Sequence, residues 1–210
     1  MESYSQAYQD IFVYSVLNKK YNGTFLEIGS NHPITHNNTY ILESKYNWRG
    51  LMVEYDSSFE QLYKIHRPKS IYRLQDARLV NYKFILDTNN FPLNIDYLQI
   101  DLDVNNKSTL DTLVLLNNTV FDKYKFASIT FEHDIYTGNY YDTQTISRRI
   151  LNERGYILVF ENVSVFWQGG YKPFEDWYVH PDLVNMDYIN SIKRSGNITT
   201  DEIKGILNST

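Results

Sequence analysis

Five short apolar runs in this chain each stop at or just before a carboxylate, and this repetition constrains the fold more than any other feature. Thr24-Phe25-Leu26 ends at Glu27, Leu51-Met52-Val53 at Glu54, and Ile71-Tyr72-Arg73-Leu74 runs into Gln75-Asp76. Asn94 to Ile100 ends at Asp101, and Phe126 to Phe131 at Glu132. Runs of this length bounded by turn residues read as buried strands, and strands alternating with helical segments read as a mostly parallel sheet covered on both faces. In such sheets ligands sit outside the carboxyl ends of the strands, where the strand order reverses. The acids at the strand tips are therefore expected around one crevice, Glu27 and Glu54 among them.

The first strand-turn-strand unit, residues 24–56, indicates what the crevice holds. Its turn, Glu27-Ile28-Gly29-Ser30-Asn31, places a glycine where the backbone passes close to a ligand. A helix is expected from the Asn37-Asn38 pair, with Tyr40, Ile41, Leu42 and Tyr46 facing the core. Glu54, followed by Tyr55, is placed to accept hydrogen bonds from both hydroxyls of a ribose. The turn lacks the three-glycine pattern that seats a pyrophosphate on a helix N-terminus, and its carboxylate repels phosphate and attracts a cation. S-adenosylmethionine, with a ribose, an adenine, an ammonium, a sulfonium and no phosphate, fits better than a dinucleotide. The alternative is an ordinary strand-helix-strand unit with solvated acids at its strand ends.

At 210 residues and a net charge of −5, the chain suits one domain with a sizeable core and does not suit a binder of nucleic-acid backbone. No apolar stretch has the length of a membrane span, the first ten residues do not resemble a signal peptide, and cysteine is absent. A soluble cytoplasmic protein without disulfides is the expectation.

Along the rest of the chain, Ser3 and Gln6 have capping-box spacing, with Gln6, Gln9 and Asp10 on the polar side of the helix they would start. Asp76-Ala77 is placed to meet an adenine, and residues 81–86 read as an extra short strand or edge ribbon. The fourth strand ends in Asp101-Leu102-Asp103, and the fifth in Glu132-His133-Asp134. Ser108 with Asp111 caps one helix, and residues 143–154 form another, stopped by Gly155. A sixth strand covers 156–161, and two short helices, near 183–194 and 199–207, end the chain. Residues 163–181 concentrate aromatic rings, and Phe174-Glu175-Asp176-Trp177 mixes rings with acids in a way that suits a sugar. A seventh, antiparallel strand that buries these rings is the competing reading.

The segments SQAYQD, FLEIGS, NNTYILE, WRGLMVEYD, DYLQIDLD, ITFEHDIY, GYILVFENV and PFEDWYVHP, in this order, resemble the FkbM-like S-adenosylmethionine-dependent methyltransferases across nearly the whole chain. The resemblance implies a single class I methyltransferase domain over residues 1–210. Its α/β, Rossmann-like sandwich has a seven-stranded, mostly parallel sheet with an antiparallel last strand and helices on both faces. It also implies that Glu27, Gly29, Ser30 and the adjoining Asn31 hold the methionine part of the cofactor, Glu54 and Tyr55 the ribose, and Asp76 and Ala77 the adenine, with Asp101 beside the reacting methyl. Where the family often has a glycine after Asp-x-Asp, this chain has Val104-Asn105-Asn106, so its loop differs there.

Two devices are available for removing the proton of an acceptor hydroxyl. Asp101, Asp103 and Glu132 hold Mg²⁺ or a similar hard cation that acidifies the hydroxyl, or His133 is the general base, oriented by a neighbouring acid. Asp134, Phe174 and Trp177 are the expected substrate contacts, and a sugar or glycan is the expected acceptor of O-methylation. A carbohydrate-binding scaffold without activity and a nucleotide-sugar oxidoreductase or epimerase are the competing classes; the second lacks its glycine-rich loop.

Overall fold

The computed structural model describes residues 2–209. Among them one sheet runs in the order β3-β2-β1-β4-β5-β7-β6-β8. The strands are β1 (Thr24–Ile28), β2 (Arg49–Glu54), β3 (Ile71–Leu74), β4 (Asn94–Ile100), β5 (Lys125–Glu132), β6 (Ile157–Trp167), β7 (Gly170–Val179) and the short β8 (Ile198–Thr199). Strands β1 to β5 are parallel to one another, whereas β7 lies antiparallel between β5 and β6. The expected seven strands and antiparallel seventh are present, and β8 adds two residues beside β6. Chain order reverses between β1 and β4, which is where a ligand crevice belongs.

The period-two alternation of the strands divides the core into two layers. Leu26, Ile28, Leu51, Val53, Leu98 and Ile129 face α4 (Tyr82–Thr88), α5 (Ser108–Thr119) and α6 (Tyr141–Glu153). Phe25, Met52, Tyr97 and Trp177 face the other side, covered by α1 (Gln9–Val16), α2 (Tyr40–Tyr46), α3 (Glu60–His66), α7 (Met186–Ile192) and α8 (Thr200–Asn208). No helix among the described residues is long and apolar enough to cross a membrane.

Five local expectations need correction. Residues 81–86 are not a strand but open α4: Asn81 accepts a hydrogen bond from the Phe84 amide, and Tyr82, Ile85 and Leu86 share one buried face at helical spacing. Helix α1 starts at Gln9 rather than after a capping box at Ser3, because Ser3, Tyr4 and Ser5 fold back onto the Asp10 carboxylate. Gln9 and Asp10, expected on a polar face, are both buried. Thr39, not the Asn37-Asn38 pair, precedes α2, and Lys107, without a side-chain bond, precedes α5.

Candidate active site

The turn after β1 is built against its neighbours before any ligand arrives. The amides of Gly29 and Ser30 both donate to the Val53 carbonyl at the end of β2, at 2.9 and 3.1 Å, and the Asn31 amide donates to Glu54 Oε2 at 2.7 Å. Gly29 has φ +84°, and a Cβ there would lie 1.7 Å from the Asp101 carbonyl oxygen, so no other residue lets the turn pass this closely over the end of β4. His32 Nδ1 then accepts from the Ile34 and Thr35 amides and folds the loop toward α2.

A cleft of about 840 Å³ opens at the carboxyl edge of the sheet, within the usual range for small-molecule sites. Every parallel strand contributes to its lining: Gly29 follows β1, Glu54 ends β2, Asp76 and Ala77 follow β3, Asp101 follows β4 and Glu132 ends β5. Asn31, Tyr55 and Asp103 also line it. Glu54 Oε1 accepts from the Tyr55 and Asp56 amides at 2.7 and 2.8 Å, so with Asn31 three backbone donors hold this carboxylate. A carboxylate offers about four lone-pair directions. Room therefore remains for about one ribose hydroxyl rather than the expected two. Asp76 is gripped by the Arg78 guanidinium at 2.6 Å, which holds its carboxyl below the usual range.

Glu27 and Ser30 do not line the cleft but form its footing. Glu27 is fully buried, 3.7 Å from Arg67 and hydrogen-bonded by Asn37, with Oε1 left without a partner. Burial pushes its carboxyl up, partly offset by Arg67. Ser30 Oγ donates to the Glu27 carbonyl at 3.1 Å.

At the other end of the cleft the register builds a row of acids. Ile100 pairs with Phe131 and Glu132 with Glu175, so Asp101, Glu132 and Glu175 sit side by side across β4, β5 and β7. Burial, then the charge and hydrogen bond of Asp101, push Glu132 well above the ordinary carboxylate range, and burial raises Asp101 itself. Glu175, fully buried and hydrogen-bonded by Gln9 and Trp177, is pushed up to about 8 by burial and then by Asp101. Asp134, not in the lining, rises to about 6 by burial and then by Asp101.

Three expected roles meet contrary geometry. His133 follows Glu132 in an extended segment, so it points the opposite way; it is fully buried with Nε2 3.6 Å from Asp176 Oδ1 and does not line the cleft. Burial would raise Asp176, but its bonds to His133 and Arg148 win and bring it down to about 2. Phe174 and Trp177 are core residues rather than substrate contacts, the Trp177 ring lying 4.9 Å from that of Phe12. Among the described residues no three His, Cys, Asp or Glu side chains are arranged to hold a metal ion, and Asp103, exposed, caps the Asn105 amide. Gln6, on the polar side of the segment before β1, does line the cleft, and so does His36, to which the sequence assigns no role there; Glu175, expected in a sugar-binding surface, is instead the third acid of the row.

No protein-family model matches the chain, and no curated protein matches it in sequence. Among solved structures, it is similar to a TehB-like S-adenosylmethionine-dependent methyltransferase from Corynebacterium glutamicum, with a TM-score of 0.50 at 13% identity over 82% of this chain and 87% of that one. It is also similar to a candidate rRNA-methylase from Clostridium thermocellum, with a TM-score of 0.51 at 10% identity over 85% of this chain and 98% of that one. With the strand order above, these likenesses show that the chain has the class I S-adenosylmethionine-dependent methyltransferase fold.

Proposed function

We propose that this chain transfers a methyl group from S-adenosylmethionine to a hydroxyl of a sugar or glycan. One observation carries the reading: five parallel strands end on a single cleft, with Glu54 and Asp76 at one end and the Asp101–Glu132 pair at the other. The donor set fits the cofactor. Acceptor-only carboxylates suit hydroxyls and cations, and Glu54 keeps lone-pair capacity toward a ribose. When bound, the cofactor supplies an electrophilic methyl on a sulfonium.

The residues of the chain then align the acceptor and take its proton. In that transfer the Asp101–Glu132 pair would take the proton of the acceptor hydroxyl. Two adjacent carboxyls resist being ionised together, so the pair holds a proton more tightly than a lone carboxyl would and keeps one basic site. This assigns the base to Glu132 and Asp101 in place of His133 and without a cation. The order of the motifs, which resembles FkbM-like methyltransferases, supports an oxygen acceptor. The glycan is supported by the exposed rings of Phe166, Trp167 and Tyr171, carried by the β6–β7 hairpin at the cleft edge of the sheet.

The test is transfer of labelled methyl to a panel of glycans in excess EDTA. Transfer to a glycan hydroxyl in wild type, lost in Glu132→Gln, is the expected result; no transfer to any glycan by a protein that binds the cofactor sinks the acceptor class.

A further inference from the structure

A second cavity, of about 580 Å³, lies away from the cleft at the outer edge of the sheet, where the turn after α7 meets β8 and α8. Bonds within the chain fix its walls. On one side the Arg194 amide donates to the Val159 carbonyl at 3.0 Å, and the Gly196 amide to Glu161 Oε2 at 2.9 Å. Asn162 Nδ2 donates to Asn197 Oδ1 at 2.9 Å, so the turn is bonded to β6 along its length. On the other side the capping box of α8 holds Glu202, whose Oε2 accepts from the Thr199 amide at 2.8 Å and the Thr199 hydroxyl at 2.7 Å. The buried side chains of Ile192 and Ile198 add an apolar floor.

Arg194 is the cation of this lining and Glu202 its anion. Among the described residues the Arg194 guanidinium has no carboxylate partner: Nη1 donates to the Ser191 and Lys193 carbonyls at 3.2 and 2.8 Å, and Nε and Nη2 are left over. Glu202 Oε1 is left over in the same way. Ser195 Oγ and Asn197 Nδ2 add neutral donors on the Arg194 side. A ligand with only negative charge would meet Glu202, and one with only positive charge would meet Arg194. Charge complementarity therefore selects a ligand that carries both signs, and the isoleucine floor selects one with an apolar body. A guanidinium matches a carboxylate in a planar, two-bond geometry, and a free carboxylate oxygen accepts from an ammonium. We propose that this cavity binds a free α-amino acid with a large apolar side chain. Its carboxylate sits on Arg194, its ammonium on Glu202 and its side chain over Ile192 and Ile198. The site shares no lining residue with the cleft and does not depend on the cofactor reading.

Calorimetry with three probes tests this. L-phenylalanine carries both charges, 3-phenylpropionate lacks the ammonium, and 2-phenylethylamine lacks the carboxylate. Wild type is expected to bind phenylalanine saturably and each truncated probe roughly tenfold or more weakly, as for loss of a hydrogen bond to a charged group. Arg194→Gln and Glu202→Gln are each expected to weaken phenylalanine by a similar factor. Glutamine serves as well as glutamate at the third position of a capping box, so Glu202→Gln removes the charge and keeps the start of α8. In that variant 3-phenylpropionate should bind no more weakly than in wild type, a result that damage to the fold would not give. Wild type that does not bind phenylalanine overturns the site, and a truncated probe that binds as tightly as phenylalanine overturns the two-charge recognition. Phenylalanine affinity unchanged in either variant places the amino acid elsewhere and overturns the assignment. Were Arg194→Gln to lose its fold, Glu202→Gln and the truncated probes would still decide.

Discussion

Replacing Glu175 with glutamine should remove a large part of the pH dependence of folding. Glu175 is fully buried opposite Glu132, with Gln9 and Trp177 donating to its carboxylate. Burial, and then the charge of Asp101, lift its carboxyl from the ordinary 4.5 to about 8. The folded state therefore holds this proton more tightly than the unfolded chain does. The stability it contributes is complete below about 4.5 and is lost as the pH rises through about 8. Each pH unit inside that window costs about 1.4 kcal/mol, so the loss across the whole window is capped at about 5 kcal/mol. Glutamine has nearly the same shape, cannot ionise, and keeps an oxygen for the Trp177 indole. Urea unfolding of both proteins at steps between pH 5 and pH 9 gives the comparison. Wild type should fall more steeply, and Glu175→Gln should overtake it by pH 9. The other raised acids titrate in both proteins, so the difference between the curves isolates Glu175 and the neighbours coupled to it. Parallel curves over the whole range would refute the reasoning.

Four further outcomes are expected. Arg67→Met, which leaves the buried Glu43 without its 2.9 Å partner and Glu27 without its nearest cation, should lower unfolding free energy by about 3–5 kcal/mol, read from the urea midpoint. Trp177→Ala should cost about 3–5 kcal/mol by emptying the space against Phe12 and Phe160, while Trp167→Ala, at an exposed ring, should stay within about 0.5 kcal/mol; similar losses for both would put Trp177 outside the core. Glu54→Ala should weaken S-adenosylhomocysteine by about 1.5–3 kcal/mol in calorimetry, and an unchanged affinity removes it from the ribose site. Glu132→Gln should lower kcat with little change in cofactor affinity while excess EDTA leaves wild-type turnover intact; a chelator that abolishes turnover returns the reaction to a metal.

The parts of this molecule that were legible in the sequence are those set by the period of a single segment. Strands β1 to β5 and the start of β6 follow from apolar runs and their bounding turns, Asn94–Ile100 coinciding with β4 to the residue, whereas β6 runs on to Trp167 and β7 is only the competing reading of residues 163–181. Residues 81–86 are ambiguous in the sequence because a run of six is too short to separate a period of two from one of 3.6; the Asn81 cap decides for the helix. The position of His133 was also in the sequence, since neighbours in an extended chain face opposite sides and Glu132 already takes the cleft side.

What no single segment carries is register between strands. Glu175 becomes the third acid of the row because β7 runs antiparallel and pairs Glu175 with Glu132, and a shift of one residue would send it to the opposite face. The same shift would detach Gln9 from Glu175 and loosen the segment bearing Gln6. The pairing of β5 with β7 thus ties the acid row of the cleft to the segment before β1. A variant that disturbs this pairing should lower methyl transfer in the labelled-methyl assay although Glu132 itself has not changed.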